Sequence, residues 1–438
     1  MKYQSYLSVY EDLHEVIRLR REKKIFTAMG YTSNLDILLD FQTDTLNELL
    51  AEHLAGCSLT EVSLSNPIRT MRDLLETITW FCLHGIGGEV DIEDPSLIRQ
   101  CFPYRYGIGG TAVQAGMALA QLGAESVVHL TDDSPELTEQ LVSPYIYVPL
   151  EDGSLGHADD VDPQNEQEVH VILQFRKGSV IRLGEQEETI PCSNRLILTK
   201  NTVNITVPFR ESYFRWIEEH AEQVSSNVLS SFNCILDPAV LKERLVSAIR
   251  HIDVYHSRNP RGIVYFEDAH YHNTEVRKLC IEMLYPHVDI MSMNEEELAY
   301  TLKMYQVPVD TEDVLSCIRG VDWLRKRFEI RKGIVVHTKD YAMFVGDAEG
   351  IPIEQGLICG SCLATAKAAY GSYGTDAQIR EIIKHPFSEK GLACAAQLEA
   401  SEYRDHVILV PTCYIDKPKY TIGLGDSFTG GMQLCFGS

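Results

Sequence analysis

Two glycines and an aspartate stand together near the C-terminal end of the chain, as Gly423, Gly425 and Asp426. Glycine lets the backbone come close to a ligand and adopt conformations that other residues avoid. The N–H groups at the start of a following helix attract phosphate, and a carboxylate in that turn is well placed as a base for an incoming hydroxyl. The pattern indicates phosphoryl transfer, with the glycines in an anion hole. The structural alternative is a glycine-rich turn with Asp426 as a helix cap.

A second group of candidate binding residues lies nearer the N-terminus. Asn34 and Asp36 follow the apolar segment 25–30, which we expect to be a buried strand. An ionised aspartate accepts hydrogen bonds from two sugar hydroxyls, although a turn or capping aspartate explains the same pattern. Gly109 and Gly110 precede a helix of small residues, which could pack tightly on a sheet or approach a ligand.

Three oxygen-bearing side chains suit a magnesium ion. Glu267 ends an apolar segment, and Asn294 and Glu297 open a helix after the next one. Mg²⁺ prefers oxygen ligands, usually one or two carboxylates completed by waters and phosphates. The alternative is that the acids are stabilised by the positive end of the helix dipole.

A candidate nucleotide-binding segment follows another apolar strand, at His337, Thr338 and Tyr341. This position in the C-terminal half is one where a nucleotide could lie. A half-buried, hydrogen-bonded histidine is the simpler interpretation of His337.

Basic side chains are candidates for binding a substrate phosphate. The segments 169–176 and 179–184 alternate in polarity, which predicts a hairpin that carries Arg176, Lys177 and Arg182. Arg195 lies in a further predicted strand. Charges on an exposed sheet face are the alternative.

The elements that must position these residues alternate between helix and strand from about residue 211, beginning with a helix over 211–224 and a segment over 233–237. Such alternation predicts a mainly parallel sheet covered on both faces. Ligands of open parallel sheets bind at the carboxyl ends of the strands. Several candidate residues are expected just past such ends, namely Asp36, Glu267, Asn294, Thr338 and Asp426.

Composition limits the classes of function. The 438 residues carry a net charge of −24, which opposes binding to nucleic acid. No apolar run reaches the length of a membrane span, and the N-terminal residues lack a secretory signal, so we expect a cytoplasmic protein with no membrane partner. Its 12 cysteines are expected to be reduced thiols.

Taken together, these segments resemble the ADP-dependent sugar kinases, the glucokinase/phosphofructokinase family of the ribokinase-like superfamily. The similar motifs occur in the family's order over nearly the whole chain. They are Gly30-Tyr31 with Asn34 and Asp36, Gly109-Gly110, 264–269, 293–298, His337-Thr338 with Tyr341, 410–412, and 421–426.

The resemblance implies an α/β fold with a Rossmann-like, mainly parallel central sheet flanked by helices and a smaller α/β lid domain. The large nucleotide-binding domain would comprise residues 1–36, 108–165 and 211–438. The discontinuous lid would comprise 37–107 and 166–210. A monomer or small homo-oligomer is expected.

The resemblance also implies the roles of residues. The β-phosphoryl of ADP would pass to a sugar with Mg²⁺ as cofactor, releasing AMP, with Asp426 as base. The sugar would be held by Asn34, Asp36 and Gly110. Residues that would border the nucleotide or form its anion hole are His337, Thr338, Tyr341, Val410, Pro411, Ile422, Gly423, Leu424 and Gly425.

The acceptor and donor stay open at this point. A hexose or a hexose phosphate fits, and four basic residues tilt the expectation slightly toward fructose 6-phosphate over glucose, namely Arg176, Lys177, Arg182 and Arg195. An ATP-dependent ribokinase-type enzyme would use the same anion hole. A catalytically silent regulator that binds a sugar or nucleotide is the alternative from another class.

Overall fold

The computed structural model describes residues 6–437, and its largest element is a ten-stranded sheet. The strands in order across it are β17 (Val407–Pro411), β16 (Tyr341–Gly346), β15 (Gly333–His337), β14 (Ile290–Asn294), β13 (Ile263–Glu267), β12 (Val224–Leu229), β1 (Phe26–Met29), β5 (Ser126–Val128), β6 (Ile146–Pro149) and β7 (Leu155–Gly156). Pairing is parallel from β15 to β6 and antiparallel at both edges. The predicted mainly parallel sheet is confirmed.

Helices cover both faces of this sheet. Successive residues of a strand point to opposite sides, and the strands carry apolar residues on both sides that the helices bury. Val264 and Phe266 lie in one core and Ile263 and Tyr265 in the other. The first core includes residues of α7 (Glu211–Glu219), α8 (Pro238–Arg258), α9 (Thr274–Leu284), α10 (Glu295–Met304), α11 (Val314–Arg327) and α14 (Glu389–Glu399). The second includes residues of α1 (Tyr6–Glu22), α5 (Thr111–Gln121), α6 (Pro135–Gln140), α12 (Ile353–Tyr370), α13 (Asp376–Ile382) and α15 (Leu424–Met432).

A separate five-stranded sheet packs on its own core. Its strands are β3 (Gly88–Asp91), β11 (Asn194–Lys200), β8 (Val169–Phe175), β2 (Asn34–Leu39) and β4 (Tyr104–Gly109), in that order. Its core includes residues of α2 (Thr43–His53), α3 (Met71–His84) and α4 (Ser96–Arg99), and of β9 (Val180–Leu183), which pairs with β10 (Gln186–Thr189).

Two local predictions are wrong. The segments 169–176 and 179–184 do not form a hairpin: β8 pairs with β11 and β2, whereas β9 pairs with β10. The strand between α7 and α8 is β12, and a 3₁₀ turn at Phe232–Cys234 begins the segment expected at 233–237. Ser225, Ser226 and Asn227 make β12 polar in sequence, although all three are buried in the sheet.

The proposed division into domains runs close to the division into sheets. Strands of the five-stranded sheet come from residues 34–109 and 169–200, so Asn34 and Asp36 stand inside a strand of this sheet and not past a strand end of the larger one. The domain boundaries stay a prediction, and residues 1–5 and 438 of the proposed large domain lie outside the described residues. No helix within residues 6–437 has the length and apolar content to cross a bilayer.

Candidate active site

A cavity of about 500 Å³ opens between the five-stranded sheet and the carboxyl ends of the parallel strands of the larger sheet. One wall includes His170 of β8, and the other includes Ser231 and Ala269, which follow β12 and β13. The predicted site residues that line it are Asn34, Asp36, Gly109, Gly110, Arg195, Ile422, Gly423 and Asp426. Sequence positions almost 400 residues apart therefore meet at one site.

A larger cavity, about 780 Å³, lies at the opposite, amino edge of the sheet, beside Gly346 and Val407. None of the predicted site residues lines it. The smaller cavity is the candidate active site, because ligands of parallel sheets bind at the carboxyl edge.

The turn before α15 has the conformation that the glycine pattern requires. Gly423 is the N-cap residue and has φ of 64°, in the left-handed region. A Cβ atom there would lie 1.9 Å from Oε1 of Gln114 and 2.7 Å from Nζ of Lys367. The first N–H groups of α15 have no partner within the helix and lie in this turn, as an anion hole requires.

Replacing Gly423 with alanine is expected to lower kcat by about 10²-fold, because displacing a reacting group by about 1 Å costs that much. The added methyl group must push Gln114 and Lys367 away, and the left-handed backbone is strained for alanine. Steady-state kinetics with purified protein test this. Gly178→Ala is the control, since Gly178 has φ of +88° and nothing lies within 4 Å of its added Cβ. A control loss as large as that of Gly423→Ala would contradict the explanation by close contact.

Asp426 is held in the first turn of α15, with its side chain toward the cavity. Burial raises the pKa of its carboxyl, while the Lys367 ammonium and a hydrogen bond from Thr111 lower it. The Glu267 carboxylate also raises the pKa of Asp426, and His337 lowers it. Asp426 thus combines the basicity of a partly desolvated carboxylate with a cation that favours its ionised form.

The opposite wall presents a hydrogen-bonded pair of polar side chains. Nδ2 of Asn34 donates to Oδ1 of Asp36 at 2.8 Å and lies 3.2 Å from Nδ1 of His170. Burial raises the pKa of Asp36 to about 6 even though His170 and Asn34 lower it. A Cβ on Gly109 would lie 2.3 Å from Nδ2 of Asn34, so glycine is needed for β4 to approach this pair. The pair is built to exchange hydrogen bonds with a hydroxyl-rich ligand.

Sequence patterns did not identify several residues of the cavity wall. Glu89, Gln114, Glu168 and His170 all line it. Glu168 is 1% exposed, and its Oε2 accepts hydrogen bonds from the backbone N–H (2.6 Å) and the hydroxyl (2.9 Å) of Thr202. Glu168 and His170 stand on either side of Val169, the first residue of β8, and this alternation is the sequence signal that places both near one face of the sheet. The signal is difficult to recognise because an acidic loop precedes it.

Glu267 ends β13 as predicted and is 6% exposed. Its Oε1 lies 3.0 Å from Nε2 of His337, and its Oε2 accepts a hydrogen bond of 2.7 Å from the hydroxyl of Thr429. Although burial lowers the pKa of His337, the Glu267 carboxylate raises it above the ordinary value. Glu267 therefore links the end of β13, the end of β15 and α15.

Asn294 and Glu297 begin α10 as a capping box. The Asn294 side chain accepts from the N–H of Glu297 at 2.9 Å, and Oε2 of Glu297 accepts from the N–H of Asn294 at 2.8 Å. Burial, reinforced by the carboxylates of Asp268 and Glu267, raises the pKa of Glu297 to about 7. Asn294 is thus the N-cap residue of α10, and the capping box leaves Oε1 of Glu297 available.

These residues fit a magnesium ion held mainly by water and phosphate oxygens. Glu267 and Glu297 supply carboxylates close enough to repel each other, which a cation would relieve. Within residues 6–437 no three His, Cys, Asp or Glu side chains converge to hold a metal by themselves. A complete cage of protein ligands is not needed for Mg²⁺, which usually keeps several waters.

A buried ion pair lies directly behind Glu267. Oδ2 of Asp268 is 2.8 Å from Nη2 of Arg277, and these side chains are 1% and 0% exposed. Asp268 also accepts from the Tyr285 hydroxyl at 3.0 Å, and Arg277 donates to the carbonyl oxygens of Ala269 at 2.7 Å and Glu297 at 3.3 Å. The pair thus joins the segment after β13 to the first turn of α10.

The predicted nucleotide-binding residues differ in how deeply they are buried. Thr338 forms a tight turn by accepting from the N–H groups of Asp340 and Tyr341, each at 3.0 Å, and it remains partly exposed. The side chains of Tyr341 and Val410 are packed into the two cores, and Pro411 is also buried. Ile422, Leu424 and Gly425 are half-buried in the turn before and at the start of α15. Contacts from Tyr341 or Val410 to a nucleotide would have to involve the backbone.

The predicted basic cluster is not assembled at the cavity. Arg195 lines it, whereas Arg176 and Lys177 are exposed beyond the end of β8 and do not. Arg105 and Lys419 line a neighbouring cavity of about 630 Å³ that shares Ile172 with the first. Arg195 is therefore the one member of the predicted cluster Arg176, Lys177 and Arg195 that lines the candidate active site.

The sequence of the chain is similar to those of known proteins over nearly its whole length. The sequence profile described as the ADP-specific phosphofructokinase/glucokinase conserved region matches residues 24–434. The chain is 24% identical to the ADP-specific phosphofructokinase of Thermococcus kodakarensis, over 96% of both chains. It is 26% identical to the ADP-dependent glucose/glucosamine kinase of Pyrococcus furiosus, over 92% of both.

Solved structures share the fold. A phosphofructokinase from Pyrococcus horikoshii with AMP superposes with a TM-score of 0.78 at 20% identity, covering 94% of this chain and 97% of the other. An ADP-dependent kinase in complex with fructose 6-phosphate and ADPβS gives a TM-score of 0.72 at 20% identity, covering 99% and 98%.

Proposed function

The chain belongs to the ADP-specific phosphofructokinase/glucokinase family and is an ADP-dependent sugar kinase, and on this premise we propose how its cavity works. The β-phosphoryl of ADP passes to a hexose hydroxyl at Asp426, releasing AMP. The observation that carries the proposal is that Asp426 and the Asn34–Asp36 pair open into one cavity from opposite walls. Phosphoryl transfer needs a bound acceptor, a base and an anion hole close together, and this cavity brings together residues suited to each of these tasks.

Each chain residue has a proposed task. Asn34 and Asp36 orient the hexose by hydrogen bonds to its hydroxyls. Asp426 takes the proton of the hydroxyl that attacks, and the N–H groups of the 423–425 turn stabilise the charge that develops on the phosphoryl oxygens.

Mg²⁺ is the proposed cofactor. Glu267, Glu297 and Asn294 would hold it, directly or through water, and when bound it neutralises phosphate charge. Among the contacts described above, Oε1 of Glu297 has no role in the helix cap and supports this assignment.

ADP is proposed to lie between the turn at Thr338 and the segment 411–425. Support comes from the partly exposed Thr338, Ile422 and Leu424 on either side of this space. A cytoplasmic location and a monomeric or small homo-oligomeric state stay predictions from the sequence.

An unphosphorylated hexose is the proposed acceptor. Carboxylates of Asp36, Glu89 and Glu168 line the cavity and suit hydroxyl or amino groups, whereas they repel a phosphate. This reverses the slight preference for fructose 6-phosphate that the basic residues had suggested in the sequence. A hexose phosphate is the second candidate, because Arg195 lines the cavity and could receive its phosphate.

A panel of acceptors and donors tests the proposal. AMP release is measured with ADP–Mg²⁺ and each of glucose, glucosamine and fructose 6-phosphate, then with ATP as donor. We expect kcat/KM to be highest for an unphosphorylated hexose with ADP. Higher kcat/KM with fructose 6-phosphate would establish the second candidate instead. Absence of AMP with every sugar, in protein shown by calorimetry to bind ADP, would contradict the proposed function.

A further inference from the structure

Lys367 is a buried lysine in the last turn of α12 that no sequence motif singled out. It is 4% exposed, and its Nζ donates to the carbonyl oxygen of Gly423 at 3.2 Å and to Oε1 of Gln114. The ring of Tyr373 lies 4.4 Å from the ammonium, a cation–π contact. Lysines are rarely buried this deeply without a partner carboxylate, because the charge loses its hydration.

These contacts join the two parts of the site. Gln114 belongs to α5, which begins at the Gly110 turn beside the sugar wall, and Gly423 caps α15, which carries the proposed base. Lys367 therefore connects α5, which begins beside the sugar wall, to the Gly423 turn, which is proposed to face the phosphoryl group.

The charge of Lys367 acts on both carboxylates of the reaction. It lowers the pKa of Asp36 and of Asp426, and it is the largest influence that opposes burial at Asp426. Burial in turn lowers the pKa of Lys367 to about 8, while both carboxylates favour its charged form.

Other groups around Asp426 do not replace this charge. The Glu267 carboxylate disfavours the ionised form of Asp426, Asp36 adds a further negative charge nearby, and Tyr373 is neutral. His337 is favourable but is engaged with Glu267, and Thr111 contributes only a hydrogen bond.

We infer that Lys367 is a positioning residue of the phosphoryl transfer: its ammonium fixes the Gly423 turn against Gln114 and keeps Asp426 ionised beside the acceptor. This inference rests on the proposed role of Asp426 as base. Lys367 need not touch the substrate, since it acts through Asp426 and Gly423.

Replacing Lys367 with methionine, which has a similar length and no charge, tests this. We expect kcat to fall by about 10²-fold, as for loss of one preorganised polar group, while KM for ADP and for the hexose changes by less than about threefold. The acid limb of the kcat–pH profile should move to higher pH by about one unit, because Asp426 loses the cation that favours its ionised form. Lys367→Arg keeps the charge and should retain the wild-type acid limb.

The matched control is Lys384→Met, at an exposed lysine paired with Glu381. Thermal unfolding of each variant identifies loss of structure. If Lys367→Met does not fold, Lys367→Gln replaces it, since glutamine keeps a hydrogen-bond donor without a charge. Wild-type kcat and an unmoved acid limb in the folded uncharged variant would overturn the inference. Inactivity of the wild-type protein toward all sugars would instead count against the proposed function.

Discussion

Asp426→Asn is expected to reduce kcat by about 10²–10⁴-fold, the usual cost of removing a general base, while the Kd for ADP stays nearly unchanged. Asparagine keeps the size of the side chain and its hydrogen bond with Thr111, but it cannot accept the proton of the attacking hydroxyl. The helix turn that forms the anion hole is made of backbone and is preserved. Single-turnover measurements of AMP formation, with calorimetry for ADP binding, separate the two effects.

Asp405→Asn is the control for this experiment. Asp405 is an exposed acid, 76% accessible, beside β17 and far from the cavity, so its replacement should leave kcat unchanged. If Asp426→Asn keeps more than about a tenth of the wild-type kcat, the assignment of Asp426 as base is wrong. Loss of ADP binding in parallel with kcat would show that Asp426 mainly shapes the nucleotide site.

Arg277→Met is expected to lower the free energy of unfolding by about 3–5 kcal/mol. The substitution leaves Asp268 buried without its ion-pair partner and removes the hydrogen bonds to the carbonyl oxygens of Ala269 and Glu297. The packing volume is nearly kept, so the loss reports on charge and hydrogen bonding. Urea-induced unfolding followed by circular dichroism measures it.

The neighbouring Lys278→Met provides the control on the same helix. Lys278 is 58% exposed and lies 3.8 Å from Glu282, an exposed pair expected to contribute at most about 1 kcal/mol. The double variant Asp268→Asn/Arg277→Met removes both buried charges and should recover part of the lost stability. A double variant less stable than Arg277→Met alone would contradict an origin in the unpaired Asp268 carboxylate.

Several site residues could be predicted because strand ends are visible in the sequence. Glu267 and Asn294 are the last residues of β13 and β14, where a largely apolar segment ends in a polar side chain. Parallel pairing of β13 with β14 then places them at one edge of the sheet. The Gly-x-Gly-Asp motif correctly predicted that Asp426 opens a helix, whereas the strand expected just before it is an irregular segment between β17 and α15. The role of Asp426 as base stays a prediction.

Other features depend on contacts that are distant in the sequence. β8 pairs with β2 across more than a hundred residues, so its local alternation predicted the wrong hairpin. Polar side chains of β12 find partners on other elements: the Ser225 hydroxyl donates to the carbonyl oxygen of Phe26 at 3.2 Å, and Nδ2 of Asn227 lies 2.9 Å from Nε2 of His251 on α8. Lys367 reads in sequence as a basic residue that complements the end of α12. Its contact with the Gly423 turn, 56 residues away, gives no local pattern.

The division of the cavity between two sheets has a consequence for water, the acceptor that is always present in excess. Asn34 and Asp36 stand on the five-stranded sheet, and Asp426 stands on α15 against the larger one. A hexose can hydrogen-bond to both walls at once, whereas one water molecule at Asp426 is held by a single wall. ADP should therefore be spared from wasteful hydrolysis when no sugar is bound, since only a ligand that spans the cavity fixes both walls around the phosphoryl group.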